Sequence, residues 1–228
     1  MSRPAAVIDH LVVAAATLAQ GVAWCEATFG LSPEAGGQHA LMGTHNRLLN
    51  ISSASYPAVY LEVIAINPEA EASTRPTRPR WFALDDPALQ ARLRQSPRLI
   101  HVVARTEALA LQHQRLRAAG YDLGECIAAS RDTPQGRLAW QITVPVDGRL
   151  ACGGALPTLI QWQGSHPTDH LPARGVSLKR LQLQGVPATA QAGLGLAAVV
   201  WGAASAPAPS LQASFGTPMG EVVLRSDD

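Results

Sequence analysis

Ile8-Asp9-His10-Leu11-Val12-Val13 and Leu99-Ile100-His101-Val102-Val103 write one strand twice, apolar except for a histidine at the same register. An imidazole in a strand otherwise made of Val, Leu and Ile sits where water is scarce, so it needs a hydrogen-bond partner or a metal. A third, weaker copy, Leu178-Lys179-Arg180-Leu181-Gln182-Leu183, carries Arg180 at that register. A guanidinium stays protonated and cannot ligate a metal, so the third copy is expected to support the fold rather than carry chemistry.

The residues after each strand repeat as well. After the first, Leu18, Val22, Cys25 and Phe29 recur at helical spacing and Gly30 stands where a C-terminal cap is usual, which predicts a helix over 17–29. Gly36-Gly37 breaks the chain, and strands are expected around His39, at 46–51 and at 60–66. The stretch 68–79 is rich in Pro, Glu, Thr and Arg and reads as a surface connection, followed by a short helix over 86–93. The second unit has a helix over 107–119 stopped by Gly120, then strands near 124–129, 137–144 and 158–162. The third has a strand at 176–184, a helix over 188–194 poor in helix formers, and strands at 198–203, 211–214 and 221–224. The expected architecture is α+β: a βαβββ module over 6–68, a linker with a short helix over 69–97, a second βαβββ module over 98–170 and a shorter βαβββ-like unit over 175–226.

With 228 residues, 47% of them hydrophobic and 15% charged, the chain can bury a substantial core. A formal charge of +1 offers no field for nucleic acid or anionic lipid, and those partners are set aside. Cys25, Cys126 and Cys152 form no CxxC or metal-ligand spacing, as expected of reduced thiols in a cytoplasmic protein. Asp9 and His10 interrupt the N-terminal apolar run before a signal-peptide core could form, and no segment reaches the roughly 18 apolar residues of a membrane span. The sequence allows a homodimer without specifying one.

In Tyr60-Leu61-Glu62-Val63-Ile64, a carboxylate interrupts an apolar strand, and burying it unpaired costs several kcal/mol. His10 is its expected partner, since first and last strands of a βαβββ unit can lie side by side. The second unit offers His101 on its first strand and Gln161 on its last. His10, Glu62 and His101, with an oxygen donor such as Gln161, would suit a divalent metal (Zn, Mn, Fe, Ni or Co) with water completing the shell. A strand histidine can equally be a hydrogen-bonded core residue. An amide is a poor ligand, so Gln161 can instead be a substrate hydrogen-bonding group. Arg131 can clamp a substrate carboxylate or form a surface ion pair with Asp132 or Glu125, and Trp140 can wall off water. By strand alternation Trp162 faces away from Gln161 and reads as core. His113, His166 and His170 read as solvated.

These residues together resemble the vicinal oxygen chelate superfamily, and more closely its bacterial glyoxalase-like domain group. The likeness runs through Ile8-Asp9-His10, Gly36-Gly37-Gln38-His39-Ala40-Leu41-Met42-Gly43-Thr44-His45-Asn46, Tyr60-Leu61-Glu62-Val63-Ile64, Trp81-Phe82-Ala83-Leu84, Gly153 to Trp162 and His166-Pro167, ending near Leu224. The resemblance implies a cup-shaped mixed sheet made of tandem βαβββ modules, and a divalent metal that stabilises an enolate, oxyanion or peroxide of a small substrate. His10, Glu62 and His101 match ligand positions, while Gln161 falls where metal-using relatives have a glutamate. The group's motif also stresses His39, a ligand, general base or donor pointing into the cup, with His45 and Asn46 in the turn that follows. His39 and Glu62 are thus the expected catalytic groups, and Asn46, Arg131, Trp140 and Gln161 the expected substrate contacts. The function implied is a metal-dependent lyase, isomerase or dioxygenase acting on a small oxygen-rich metabolite; the alternative is a binding or resistance protein using the same cup.

Overall fold

A computed structural model describes residues 5–70, 78–204 and 208–228. The connection expected over 68–79 lies largely outside these residues. The first unit consists of β1 (Val7–Ala14), α1 (Leu18–Phe29), β2 (Glu34–His39), β3 (Thr44–Asn50) and β4 (Tyr60–Ile66). After α2 (Pro87–Leu93), the second consists of β5 (Arg98–Arg105), α3 (Leu109–Ala118), β6 (Glu125–Thr133), β7 (Gly136–Val144) and β8 (Thr158–Gln163). The third comprises β9 (Ser177–Gln184), α4 (Ala188–Leu194), β10 (Val200–Trp201), β11 (Ser210–Thr217) and β12 (Gly220–Arg225).

Local chemistry sets the helix ends. Thr17 caps α1 by accepting from the Gln20 N–H, and Gly30 ends it in the left-handed region at φ 73°. Asp86 caps α2, accepting from the N–H groups of Ala88 and Leu89. The first two units share one sheet of eight strands in the order β2-β3-β4-β1-β5-β8-β7-β6. β1 is parallel to β4 and β5 to β8, while β1 and β5 meet antiparallel at the centre. The pairs His10 with Val103 and His101 with Val12 make that central seam pseudo-twofold. The sheet curls until its edge strands β2 and β6 approach each other, so it is a nearly closed cup.

Side-chain alternation divides the core between the two faces. Leu11, Val13, Leu61, Val63, Val102 and Ala104 face outward onto α1, α3 and the third unit. Val12, Ala14, Ile64, Val103, Ile142 and Ile160 face into the cup, where Trp81 and Phe82 arrive from the connection between the units. A 3-10 turn over Trp81–Ala83 delivers them, with Phe82 and Ala83 at φ 57° and 55°. Left-handed backbone at two non-glycine residues in succession costs energy that only firm packing sustains.

The third unit has the expected order of elements but not the pairing of the other two. Its four strands form a separate sheet, β10-β9-β11-β12, in which the first strand is parallel to the second and antiparallel to the third. In the first unit the first strand instead pairs with the fourth. Arg180 is exposed on it, far in character from the buried histidines whose register it shares in sequence. The sheet covers the outer core: Phe215 packs edge-on to Phe29 at 5.3 Å, and the Leu181 N–H donates to Tyr56 Oη, which donates to Ala198 O. Among the described residues, no helix is long and apolar enough to cross a membrane. Because this sheet completes a shared core, Phe215→Ala should lower the stability of the whole chain by about 3–5 kcal/mol. Guanidinium denaturation should show one transition moved to lower denaturant, and separate melting of residues 175–226 would contradict the shared core.

Candidate active site

Two β-bulges at the central seam aim the polar residues. Between Ile8 and His10, β1 holds one more residue than β5, so Asp9 and His10 both turn into the cup instead of alternating. The symmetric bulge in β5 lies between Leu99 and His101 and turns Ile100 inward beside His101. The twofold thus matches Asp9-His10 with Ile100-His101. The same register matches Glu62, which pairs with Val12, to Thr158, which pairs with Val103.

In the first half, His10 Nδ1–H donates to Asp9 Oδ1 at 2.6 Å, leaving Nε2 facing Glu62 Oε2 at 3.7 Å. The Tyr60 ring stacks on the His10 imidazole at 4.6 Å. Asp9 is fully buried, and its Oδ2 accepts from Trp162 Nε1 at 2.9 Å and His166 Nε2 at 3.0 Å. The Thr168 N–H donates to His166 Nδ1, which fixes the neutral tautomer that donates from Nε2. Burial alone would raise the Asp9 carboxyl, but hydrogen bonds from His10 and His166 overcome it and hold the group well below the usual carboxylate range. The same burial, with Asp9 and Glu62 close by, pushes the Tyr60 phenol well above its ordinary value.

Glu62 and His39 are joined through Asn46. The Gly37 N–H donates to Asn46 Oδ1, which orients the amide so that its NH2 faces Glu62 Oε1 at 2.6 Å and His39 Nε2 at 3.4 Å. His39 Nε2 therefore accepts, and Nδ1–H donates to Thr44 Oγ1 at 3.1 Å. Burial, reinforced by the Arg131 charge, drives His39 down to about 3, so it stays neutral. Its ring lies edge-on to Trp81 and Trp140, which wall that side.

The second half is closed on itself. His101 Nδ1–H donates to Gly154 O at 2.8 Å, and Nε2 accepts from the Thr158 N–H with the Thr158 hydroxyl 2.8 Å away. Burial drives His101 down to about 3, and Phe82 lies over it with ring centroids 5.4 Å apart. This corrects the metal-ligand reading of His101, since neither nitrogen is free. Gln161 is corrected too: it lies on the outer face of β8 and accepts from the Leu109 N–H at the start of α3. The neighbouring Trp162, read as core, is the residue that faces the cup. His166, read as solvated, is part of the carboxylate's cage. Glu125 is taken by Arg78 at 2.7 Å, so the ion pair weighed for Arg131 with it does not form. Asn46 is a buried strand residue and not a turn former, and it sits at the hub of the network. Asp9, Tyr60, Trp81 and Phe82 were missed as site residues. Asp9 stood in the opening motif, but simple alternation assigns it to the other face.

Arg131 reaches from β6 across the seam to β2, lying over Gly37. A Cβ at Gly37 would stand 2.2 Å from Arg131 Nη1, so glycine there lets the guanidinium lie where it does. Inside the seam, His10, His39, Asn46, Tyr60, Glu62 and Trp162 surround a cavity of about 30 Å³, room for one or two waters. Outside it, a cavity of about 210 Å³, lined in part by His166, shares Arg131 with the inner one.

The donor set does not fit the divalent metal that the resemblance implies. A catalytic site of this kind uses about three protein ligands, and the cup offers His10 Nε2 and Glu62. His101 and His39 spend their nitrogens on protein partners, and among the described residues no three His, Cys, Asp or Glu side chains are grouped to hold a metal. What remains is an imidazole nitrogen and a carboxylate oxygen facing each other, both acceptors while His10 is neutral, in a nearly dry hollow with one guanidinium at its mouth.

Comparison with known proteins agrees with this architecture. A model of the family described as "Glyoxalase-like domain" matches residues 8–199. No curated protein matches the sequence. Among solved structures, one titled a hypothetical protein from Staphylococcus aureus superposes with TM-score 0.55 at 17% identity, covering 78% of this chain and 69% of that one. Methylmalonyl-CoA epimerase from Mycobacterium tuberculosis gives 0.40 at 17% identity over 74% of this chain and 96% of its own. A Streptomyces coelicolor methylmalonyl-CoA epimerase in complex with 2-nitronate-propionyl-CoA gives 0.39 at 19% over 70% and 96%. At such identities the likeness is one of fold.

Two measurements check the site's electrostatics and donor set. His39 and His101 refuse protons in the folded chain down to about pH 3, while in the unfolded chain each binds one near pH 6.5. Stability should therefore fall as pH drops below about 6.5, by up to about 1.4 kcal/mol per pH unit for each histidine. Asp9 adds its loss only in stronger acid, below the ordinary carboxylate range. Denaturation midpoints at a series of pH values should show this slope, and His101→Gln should reduce it by one histidine's share. Calorimetric titration with Zn, Mn, Fe, Ni and Co should show no binding in the low micromolar range or tighter, and His10→Ala should leave the metal content of the purified protein unchanged.

Proposed function

The chain belongs to the glyoxalase-like domain family, and from that premise we propose that it is an enzyme of the isomerase or lyase type that removes a proton from a small, oxygen-rich anionic metabolite. The observation that carries this reading is the Asp9–His10 pair, which turns the lone pair of Nε2 into a cavity of about 30 Å³ opposite Glu62. In the reaction, His10 Nε2 takes a proton from carbon adjacent to a carbonyl or carboxyl group. The C–H electron pair moves onto that group's oxygen, and the new imidazolium lies between the carboxylates of Asp9 and Glu62. Arg131 is the cation placed to receive the developing oxyanion, in a site where little water screens it. Return of the proton to the same or an adjacent carbon is an isomerisation; loss of a leaving group from the adjacent carbon is a lyase reaction.

Asp9 positions the base by holding its tautomer. Glu62 is positioned by Asn46, and neutral His39 keeps the Asn46 amide in place. Trp81, Trp140 and Tyr60 exclude water, which keeps the unpaired acceptors reactive. Dioxygenase chemistry, the other activity implied by the resemblance, needs a redox metal for which the cup lacks ligands.

The test is hydrogen exchange. In deuterated buffer, a panel of 2-oxo and 2-hydroxy carboxylic acids should include substrates whose carbon-bound proton next to the carbonyl or carboxyl group is lost from the NMR spectrum. His10→Gln should slow that exchange by about 10²–10⁴-fold, and Glu62→Gln by less. Binding without exchange would favour the sequestering alternative, and equal rates in wild type and His10→Gln would overturn the role of the base.

A further inference from the structure

The outer cavity has a different character from the inner one. Its volume of about 210 Å³ is room for roughly seven groups of about 30 Å³ each. Leu48, Leu138, Leu171 and three prolines supply its apolar wall, with Thr133, Gln135 and His170 among its other lining residues. Its one acidic residue, Glu34, is ion-paired with Arg174 and offers no free charge. Arg131 stands at the boundary between the cavities, with Nη1 buried and, among the described residues, without a partner. A buried guanidinium nitrogen left without an acceptor costs energy that an anionic ligand would recover.

We infer that the ligand has two parts, an anionic head held by Arg131 at the mouth of the cup and an unbranched apolar tail lying in the outer cavity. This deepens the proton-transfer reading, on which it rests for the head group. The substrate class is thus a carboxylic acid with an oxygen substituent and an aliphatic chain of several carbons, rather than a compact hydrophilic metabolite. His166 ties the tail site to the buried carboxylate: its Nε2–H belongs to the Asp9 cage while the residue also lines the outer cavity. Glycine at position 37 serves the same design, since it lets the guanidinium cross the seam.

The test is a homologous series of straight-chain 2-oxo carboxylic acids, from pyruvate upward by one methylene at a time, titrated calorimetrically against the full chain. Affinity should rise by up to about fourfold per methylene until the outer cavity is full, and then level. Arg131→Gln should abolish binding of every member. Gly37→Ala keeps the guanidinium but displaces it, and should weaken all members alike. Leu171→Asp should remove the dependence on length while sparing the shortest acids. Affinity independent of length, or binding unaffected by Arg131→Gln, would overturn the inference, as would failure of the whole series to bind. Length-dependent binding without proton exchange would uphold the tail site and defeat the proton-transfer reading; exchange without length dependence would do the reverse.

Discussion

A carboxylate at zero exposure in the middle of a sheet is an expensive feature, and the cup is organised around satisfying the one at Asp9. Three donors converge on it, one adjacent and two from far along the chain: His10, Trp162 from β8 and His166 from the loop after β8. Arg105 stands at 3.8 Å as a fourth, looser partner while donating to the carbonyls of Ile8, Ala58 and Pro57. These contacts tie the first unit to the second across the central seam. They also decide the polarity of the cup, because the Nδ1–H spent on Asp9 leaves the other nitrogen of His10 as an acceptor facing the hollow.

The pseudo-twofold of the sheet makes the two half-sites a controlled comparison. On one side the matched positions hold Asp9, His10 and Glu62; on the other they hold Ile100, His101 and Thr158. Replacing an acid by Ile and another by Thr removes both charges, and the histidine that remains settles into neutral hydrogen bonds to Gly154 and Thr158. Phe82 then fills the space above it. Strain in the 3-10 turn that delivers Trp81 and Phe82 is sustained by this packing, so the aromatic plug and the silent half-site explain each other. The result is a cup with its buried charges on one side and a hydrophobic wall on the other.

The third unit shows that order of elements and fold of elements are different things. Its strand-helix-strand pattern matches the modules, yet its first strand pairs with its second and third instead of its last. A module in the large sheet has a neighbouring module against which to set β1 and β5; the third unit has none and closes its own small sheet against β5 and α1, with α4 on α3. Its role is burial, through Phe215, Leu178 and Leu181 on the outer core.

Periodicity and punctuation determined much by themselves. The spacing of Leu18, Cys25 and Phe29 with Thr17 and Gly30 at the ends marks α1, and the isolated acid in the strand at 60–66 marks the candidate site, because both signals are local. The partnership of His10 with Glu62 was legible for the same reason: two polar residues in apolar strands have few other places to go. What tertiary structure alone decided is which face each residue takes and what it meets there. A bulge costs one residue and leaves no mark in composition, yet it turns Asp9 inward, and register rather than motif pairs His101 with Thr158 and sends Gln161 to α3. Partners such as Trp162 and His166 come from far along the chain, and no local pattern can specify a contact whose energy depends on the closure of the whole sheet.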